Sequence, residues 1–421
     1  LALPFAVEIL ISGFWILNPP ENSPRAVGAG RIDFLARNLH NYGSVKTYRN
    51  LYPQVCSFEN LYLAYRAARR GKRAHAGVAA FEYDQERELL QLRDELQAQT
   101  WRPGPYHSFY IHDPKRRLIS AAPFRDRVVH HALVNVIEPI WEARFIHDTY
   151  ANRLGKGTHR ALDRCQQFAR RWPYVLQCDI KQFFPAIDHA LLRAELARLI
   201  HDEAVMEMID RILASGIGVL AEEYEVQWFP GDDLWAVFRA HGLPIGNLTS
   251  QFWANVYLNS FDHFVKRNLK CAGYVRYVDD FLLFGDDQAQ LCAWRAACMD
   301  YLAGLRQRLH ESRALVCPVT NGIPFLGFRV YPTHRRLKRR NGLKFQRRFK
   351  MLVGQFSRRE ISRDQLHASV RGWVNHARYG DTFGLRQAIL TLAPMPSPVR
   401  NPSTALCSAQ GANGERGVRA P

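Results

Sequence analysis

Between Gly273 and Phe284 the chain runs Gly273-Tyr-Val-Arg-Tyr-Val278, then Asp279-Asp280, then Phe281-Leu-Leu-Phe284. Two β-prone apolar segments around a short polar pair predict a hairpin with both carboxylates at its bend. A second run, Tyr174-Val-Leu-Gln-Cys178, predicts a strand that stops at Asp179. Asp188 is placed to cap a helix running through Ile200, so the local layout is strand, acidic turn, helix. Thr249 or Ser250 is expected to cap a further long helix carrying Trp253, Val256, Tyr257, Phe261, Phe264 and Val265 at near-helical spacing.

Around these elements the pattern predicts helices over Phe58–Arg73, ending in a basic cluster, and over Glu86–Gln99, with Leu89, Leu90, Leu92 and Leu96 amid charges. His107 to Ala121 predicts strands around a basic hairpin tip, Asp113-Pro-Lys-Arg-Arg117, and Pro123 to Ile140 a helix opening with Arg125, Asp126 and Arg127. The expected organisation is a non-native or disordered extension over residues 1–44, a folded body over 45–330, a basic helical segment over 331–394 and a disordered tail over 395–421.

With 421 residues, 47% of them apolar, the chain is long enough for two or three packed sub-domains. Lys and Arg outnumber Asp and Glu by 57 to 39, a net charge of +18. That excess by itself fits either a polyanionic partner or simple solubility. Its distribution favours the partner: residues 331–360 hold eleven Lys or Arg and the single acid Glu360, and such a stripe repels itself unless a polyanion lies among the cations. The eight cysteines show no CxxC pair and read as buried reduced thiols, which suits a cytoplasmic setting and argues against a disulfide framework or structural zinc. Leu1 to Leu17 is apolar but interrupted by Pro4 and Glu8 and lacks a basic leader, so neither a membrane span nor a signal peptide is expected. The first methionine is Met206, and Val45, read from a GUG codon, is the expected natural start.

Nucleotidyl transfer requires two divalent ions roughly 3.5–4 Å apart, one activating the attacking hydroxyl and one neutralising the leaving pyrophosphate. Hard magnesium takes carboxylate oxygens, and an acid on one strand with an Asp pair on a neighbouring hairpin supplies them from rigid elements. The carbonyl of Ile180 is a candidate backbone ligand. An isolated Asp-Asp pair is more often a polar turn; the apolar strand before each acid, and the order of the surrounding blocks, argue for the functional reading here.

Those blocks carry a resemblance. Gln177-Cys-Asp-Ile-Lys-Gln-Phe-Phe-Pro-Ala-Ile-Asp188 resembles the first catalytic block of reverse transcriptases, and Tyr277-Val-Asp-Asp280 resembles their tyrosine-x-aspartate-aspartate box. Phe124-Arg-Asp-Arg-Val-Val129, Tyr150-Ala-Asn-Arg-Leu-Gly-Lys-Gly157 and Phe325-Leu-Gly-Phe328 follow in the family's order, and the resemblance covers most of residues 45–385. It implies an α+β right-hand polymerase with fingers, palm and thumb, an antiparallel palm sheet packed on helices, and RNA-directed DNA synthesis. Asp179, Asp279 and Asp280 would then hold two Mg2+ ions, with Mn2+ as a substitute, and the partners would be template RNA, an RNA/cDNA duplex and deoxynucleoside triphosphates, with no membrane.

By the same resemblance, Lys115, Arg116 and Arg117 grip the incoming triphosphate through charge and guanidinium forks, and Phe184 lies under its sugar. Both Phe184 and Ile245 also have ordinary packing as an alternative role. Ile245, Gly246 and Gln251 complete the nucleotide pocket; Tyr277, Phe325, Leu326 and Gly327 meet the primer; Arg335, Arg336, Lys338, Arg339 and Arg340 follow the duplex. The block Leu243-Pro-Ile-Gly-Asn-Leu-Thr-Ser-Gln251 is similar to that of diversity-generating retroelement polymerases, because Ile245 stands where most reverse transcriptases have glutamine and Gln251 where they have proline. In that family the enzyme copies a template-repeat RNA with errors opposite adenine, alongside a small basic accessory variability protein.

One departure affects the proton inventory. The lysine usual on the pyrophosphate side is replaced by Arg313 in Leu309-His-Glu-Ser-Arg313, and an arginine stabilises charge but is a poor proton donor. The sequence leaves Arg313, His310 and water as alternatives. Two other readings remain: a group II intron-like or retron-like reverse transcriptase, and an RNA-binding scaffold without catalysis. No endonuclease, protease or RNase H block is expected.

Overall fold

The computed structural model describes residues 46–73, 75–112 and 116–391. The expected extension over 1–44, the tail over 395–421, and Lys115 and Cys407 fall outside these. The chain divides into two compact units: one takes residues up to 140, 184–257 and 300–307, the other 141–183, 258–299 and 308 onward.

In the first unit, the helix Phe58–Ala68 starts where Ser57 Oγ accepts the Asn60 amide at 3.3 Å, and it packs on the helix Gln85–Gln97. Leu89, Leu92 and Leu96 are buried while the charges between them face outward, as the spacing requires. Strands β1 (His107–Ile111) and β2 (Arg117–Ala121) pair antiparallel with Ile111 opposite Arg117. The helix beginning at Phe124 carries the buried Asp126, whose carboxylate accepts Trp101 Nε1 at 3.2 Å and the Gly104 amide at 2.7 Å. Asp188 caps as expected, accepting the Leu191 amide at 3.0 Å, but its helix is shorter, His189–Ala197.

The helix expected to open at Thr249 or Ser250 departs from expectation at both ends. It spans Leu248–Tyr257, so Thr249 and Ser250 lie inside its first turn, and Ser250 Oγ donates instead to the Pro244 carbonyl at 2.7 Å. Phe261, Phe264 and Val265 belong to the separate elements Asn259–His263 and Phe264–Asn268.

In the helix that begins at Phe124, burial pushes the His130 imidazole down to about 3 and that of His131 to about 4. An unfolded chain protonates both near pH 6.5, so the stability they contribute is present above that pH and is lost as pH falls toward 3 to 4. Thermal melts between pH 7 and 4 should show a flatter acid slope for His130→Gln than for the parent; parallel slopes would contradict this.

The second unit is built on an antiparallel sheet of β3 (Tyr174–Lys181), β4 (Gly273–Tyr277), β5 (Asp280–Gly285), β6 (Arg308–Leu309) and β7 (Leu315–Pro318). β3 lies at the centre, flanked by β5 on one side and by β6 and β7 on the other, with β4 outside β5. Alternation along β5 explains its unbroken apolar run. Leu282 and Phe284 face a core shared with Phe168 and Leu162 of the helix Thr158–Arg171, while Phe281 meets Phe261 and Tyr274 on the opposite face. A small sheet of β8 (Ile323–Phe325), β9 (Phe328–Val330) and β10 (Arg335–Leu337) leads into the helices Arg339–Ser357, Arg363–Ala377 and Phe383–Thr391. The last helices close on their own core of Phe345, Phe349, Leu366 and Ile389.

Five of the seven described cysteines are buried, but Cys292 is exposed and Cys317 only half-buried, which corrects the expectation of uniformly buried thiols. Among the described residues, no helix is long and apolar enough to cross a membrane.

Candidate active site

The strand expected to stop at Asp179 continues to Lys181, because Ile180 and Lys181 pair with Leu309 and Arg308 of β6. That extension sets Asp179 inside the sheet, directly opposite Asp280 in the β3–β5 register. The turn between β4 and β5 is only Val278 and Asp279, and the Asp279 carbonyl accepts the Ile180 amide at 3.2 Å, so the two acid-bearing segments are tied through their backbones. Ile180 itself is buried.

Val278 adopts φ +59°, a left-handed conformation that costs a β-branched residue about 1–3 kcal/mol. The guanidinium of Arg276 supports this conformation by donating from Nη1 to the Val278 carbonyl at 3.0 Å. Arg276 is 1% exposed and forms a bidentate pair with Asp262, Nε at 2.7 Å and Nη2 at 2.6 Å, while Tyr274 Oη donates to the same carboxylate at 2.7 Å. Burial opposes the charge on Arg276, but Asp262 more than offsets it and holds the guanidinium pKa above its ordinary value. Sequence reasoning missed this pair. Its one signal was an arginine interrupting the apolar strand before the acids.

Like charges directly opposite on paired strands repel, so Asp179 and Asp280 call for a cation between or beside them. The Arg313 guanidinium supplies one: it forms a short charge-assisted hydrogen bond to Asp179 Oδ2 from the turn Glu311–Arg313. His310, the other candidate from this block, donates its backbone amide to the Asp179 carbonyl at 2.8 Å. Carboxylate oxygens are the donors that Mg2+ prefers. As placed, however, no group of three or more His, Cys, Asp or Glu side chains among the described residues is arranged to hold a metal ion. The strands therefore bring Asp179 and Asp280 together with an arginine on the first of them, and Asp279 at the turn beside them.

The expected primer-contacting residues lie in the same unit. Tyr277 shares a hydrogen bond at 3.1 Å with Thr158. Leu326 and Gly327, at φ +43° and +89°, form the tight turn between Phe325 and Phe328. The basic stripe divides in two. Arg335 is tied to Asp163 at 2.7 Å and its side chain is 12% exposed, whereas Arg336, Lys338, Arg339 and Arg340 face solvent. In the helix that follows, Phe345 and Phe349 turn inward while Lys344, Arg347, Arg348 and Lys350 face outward.

The expected nucleotide-contacting residues belong to the first unit. Arg116 and Arg117 are exposed at the hairpin tip, with Arg116 4.0 Å from the Tyr110 ring. Phe184 is half-buried, and its carbonyl accepts the Leu243 amide at 3.0 Å. The Ile245 carbonyl accepts the Ser120 amide at 2.8 Å, and Asn247 fastens the loop further by donating to the Ser120 and Pro244 carbonyls at 2.9 and 3.0 Å. Gly246 sits at φ +121°, where a side chain would be strained and its Cβ would lie 3.0 Å from Ile119. Ile245 is half-buried and Gln251 exposed.

A family model described as reverse transcriptase (RNA-dependent DNA polymerase) matches residues 111–330, more than half of the chain. The chain belongs to the reverse transcriptase family. This reverse transcriptase is 28% identical over 287 residues to Protein YkfC of Escherichia coli K12, a match covering 58% of this chain and 71% of that protein. It is 24% identical over 184 residues to the group II intron-encoded protein LtrA of Lactococcus lactis, covering 43% of this chain and 28% of LtrA. Among solved structures it is similar to apo telomerase from Candida tropicalis truncated from its C-terminal domain, at a TM-score of 0.40 and 12% identity over 60% of each chain. The reverse transcriptase thus spans 28% of LtrA and 60% of that telomerase chain.

Proposed function

We propose that the chain is the error-prone polymerase of a diversity-generating retroelement, making cDNA from a template-repeat RNA. The observation that carries this reading is the loop Leu243–Gln251. It is fastened to β2 by backbone and Asn247 hydrogen bonds, so the half-buried Ile245 is anchored through its own carbonyl. A branched apolar side chain at this place offers no amide to hydrogen-bond near a templating base, so wrong geometries lose less relative to right ones. The accessory partner in this reading is a small basic variability protein.

In this reading Asp179, Asp279 and Asp280 would be the carboxylates that hold divalent cations, and magnesium bound there would supply positive charge for the primer hydroxyl and the pyrophosphate. Arg313, which pairs with Asp179, would offer the departing phosphates a charge and not a proton. Arg116, Arg117 and Lys115 take the triphosphate, Phe184 lies beneath its sugar, and the exposed cations of residues 336–350 follow the duplex backbone. A second reading, a group II intron-like enzyme, is favoured by the likeness to LtrA.

Sequencing of cDNA made on a defined RNA separates the two. The retroelement reading expects errors concentrated at template adenines and expects Ile245→Gln to lower them by about tenfold, the equivalent of ~1.4 kcal/mol in discrimination. Accurate cDNA, or an error spectrum unchanged by Ile245→Gln, favours the intron-like enzyme.

A further inference from the structure

Residues 216–241, between the helix Glu203–Ser215 and the loop that opens at Leu243, carry a surface that includes none of the residues assigned above to polymerisation. In a chain of net charge +18 this excursion holds five acids, Glu222, Glu223, Glu225, Asp232 and Asp233, against one base, Arg239. It also exposes large apolar side chains: Leu234 is 82% exposed, and Trp235 and Phe238 76% each, with Val226, Trp228 and Val237 about half exposed. Soluble proteins seldom present such a cluster without an occupant.

The cluster is held in place. The Asp232 carboxylate, its side chain 4% exposed, takes Arg239 Nη2 and Arg306 Nη1 at 2.7 Å each, and accepts the Phe229 amide at 2.8 Å. Asp233 Oδ1 then accepts the Trp235 amide at 3.1 Å and opens the tight turn Leu234–Phe238. The Trp235 and Phe238 rings stand 6.1 Å apart on that turn. Val226 and Val237 border one cleft, which brings the acidic arm of the excursion alongside the apolar turn. A clamp of this kind lowers the ordering cost of binding, and tryptophan at the centre of an apolar patch is the usual anchor of a protein interface.

We infer that this surface docks a basic protein segment, one with apolar side chains for Trp235 and Phe238 and with Lys or Arg for the acidic rim. Charge decides against the alternatives. Aromatic side chains also stack on bases, but exposed Glu222, Glu225 and Asp233 repel phosphate, and they repel anionic lipid headgroups for the same reason. The inference rests on this surface alone and not on the retroelement assignment.

The test is fluorescence anisotropy on the full chain with three labelled probes: an amphipathic helical peptide with a leucine face flanked by arginines, its counterpart with aspartates for arginines, and a single-stranded RNA. The basic peptide is expected to bind, and Trp235→Ser with Phe238→Ser should weaken it at least about tenfold while RNA affinity stays unchanged. Glu222→Lys with Glu225→Lys should weaken the basic peptide and admit the acidic one. Failure of the basic peptide to bind, or equal binding by the serine variant, overturns the inference. So does loss of RNA affinity in the serine variant, which would make the patch a nucleic-acid platform, or its conversion of a dimer to a monomer in sedimentation, which would make the occupant a second copy.

Discussion

Replacing Asp279 and Asp280 together by asparagine is expected to reduce RNA-templated DNA synthesis by about 10⁴-fold or more, the equivalent of ~5.5 kcal/mol of transition-state stabilisation. RNA binding should stay close to the parent value, because the exposed cations proposed to meet phosphate lie elsewhere, on residues 336–350. Removing two negative charges from a basic protein, if anything, tightens that binding. The pair of readouts is needed: loss of both synthesis and RNA affinity would point to misfolding, whereas retained synthesis would refute the site. Primer extension and filter binding on the same preparation measure the two.

The second large effect is expected below the hairpin. Asp262→Ala leaves the Arg276 guanidinium, 1% exposed, without its counter-charge, and breaking a buried pair in this way costs about 3–5 kcal/mol. Replacing both residues by methionine should recover most of that stability, because the desolvation penalty disappears with the charges. It should not recover full synthesis, since the contact from Arg276 to the Val278 carbonyl goes too and the strained turn beside Asp279 loses that support. Chemical denaturation of the single and double variants, with primer extension alongside, checks both parts. A single variant within about 1 kcal/mol of the parent would contradict the assignment of a supporting role.

The sequence made the acid-bearing hairpin legible because both of its strands are short, apolar and broken at the acids. The family's block order then supplied the candidates for the rest of the site. What it did not show depends on partners distant along the chain. The strand runs on past Asp179 because Ile180 and Lys181 find β6, more than a hundred residues later. Ser250 reads locally as a cap, yet its hydroxyl is taken by the Pro244 carbonyl and the helix begins before it. Arg335 reads as one more cation of a stripe, but Asp163, 172 positions earlier, claims it. Arg313 illustrates the same limit at the site itself: its replacement of a lysine was visible in the sequence, and its pairing with Asp179 was not. Local pattern reports which residues are apolar or able to cap; it carries no record of which distant charge or strand competes for them.

The central claim is tested most directly by primer extension on an RNA template with deoxynucleoside triphosphates, comparing magnesium with chelator and the parent chain with the Asp279→Asn, Asp280→Asn variant, with and without a basic accessory partner. The account predicts magnesium-dependent cDNA from the parent and none from the variant. No product from the parent under any of these conditions, or equal product from the variant, would contradict it.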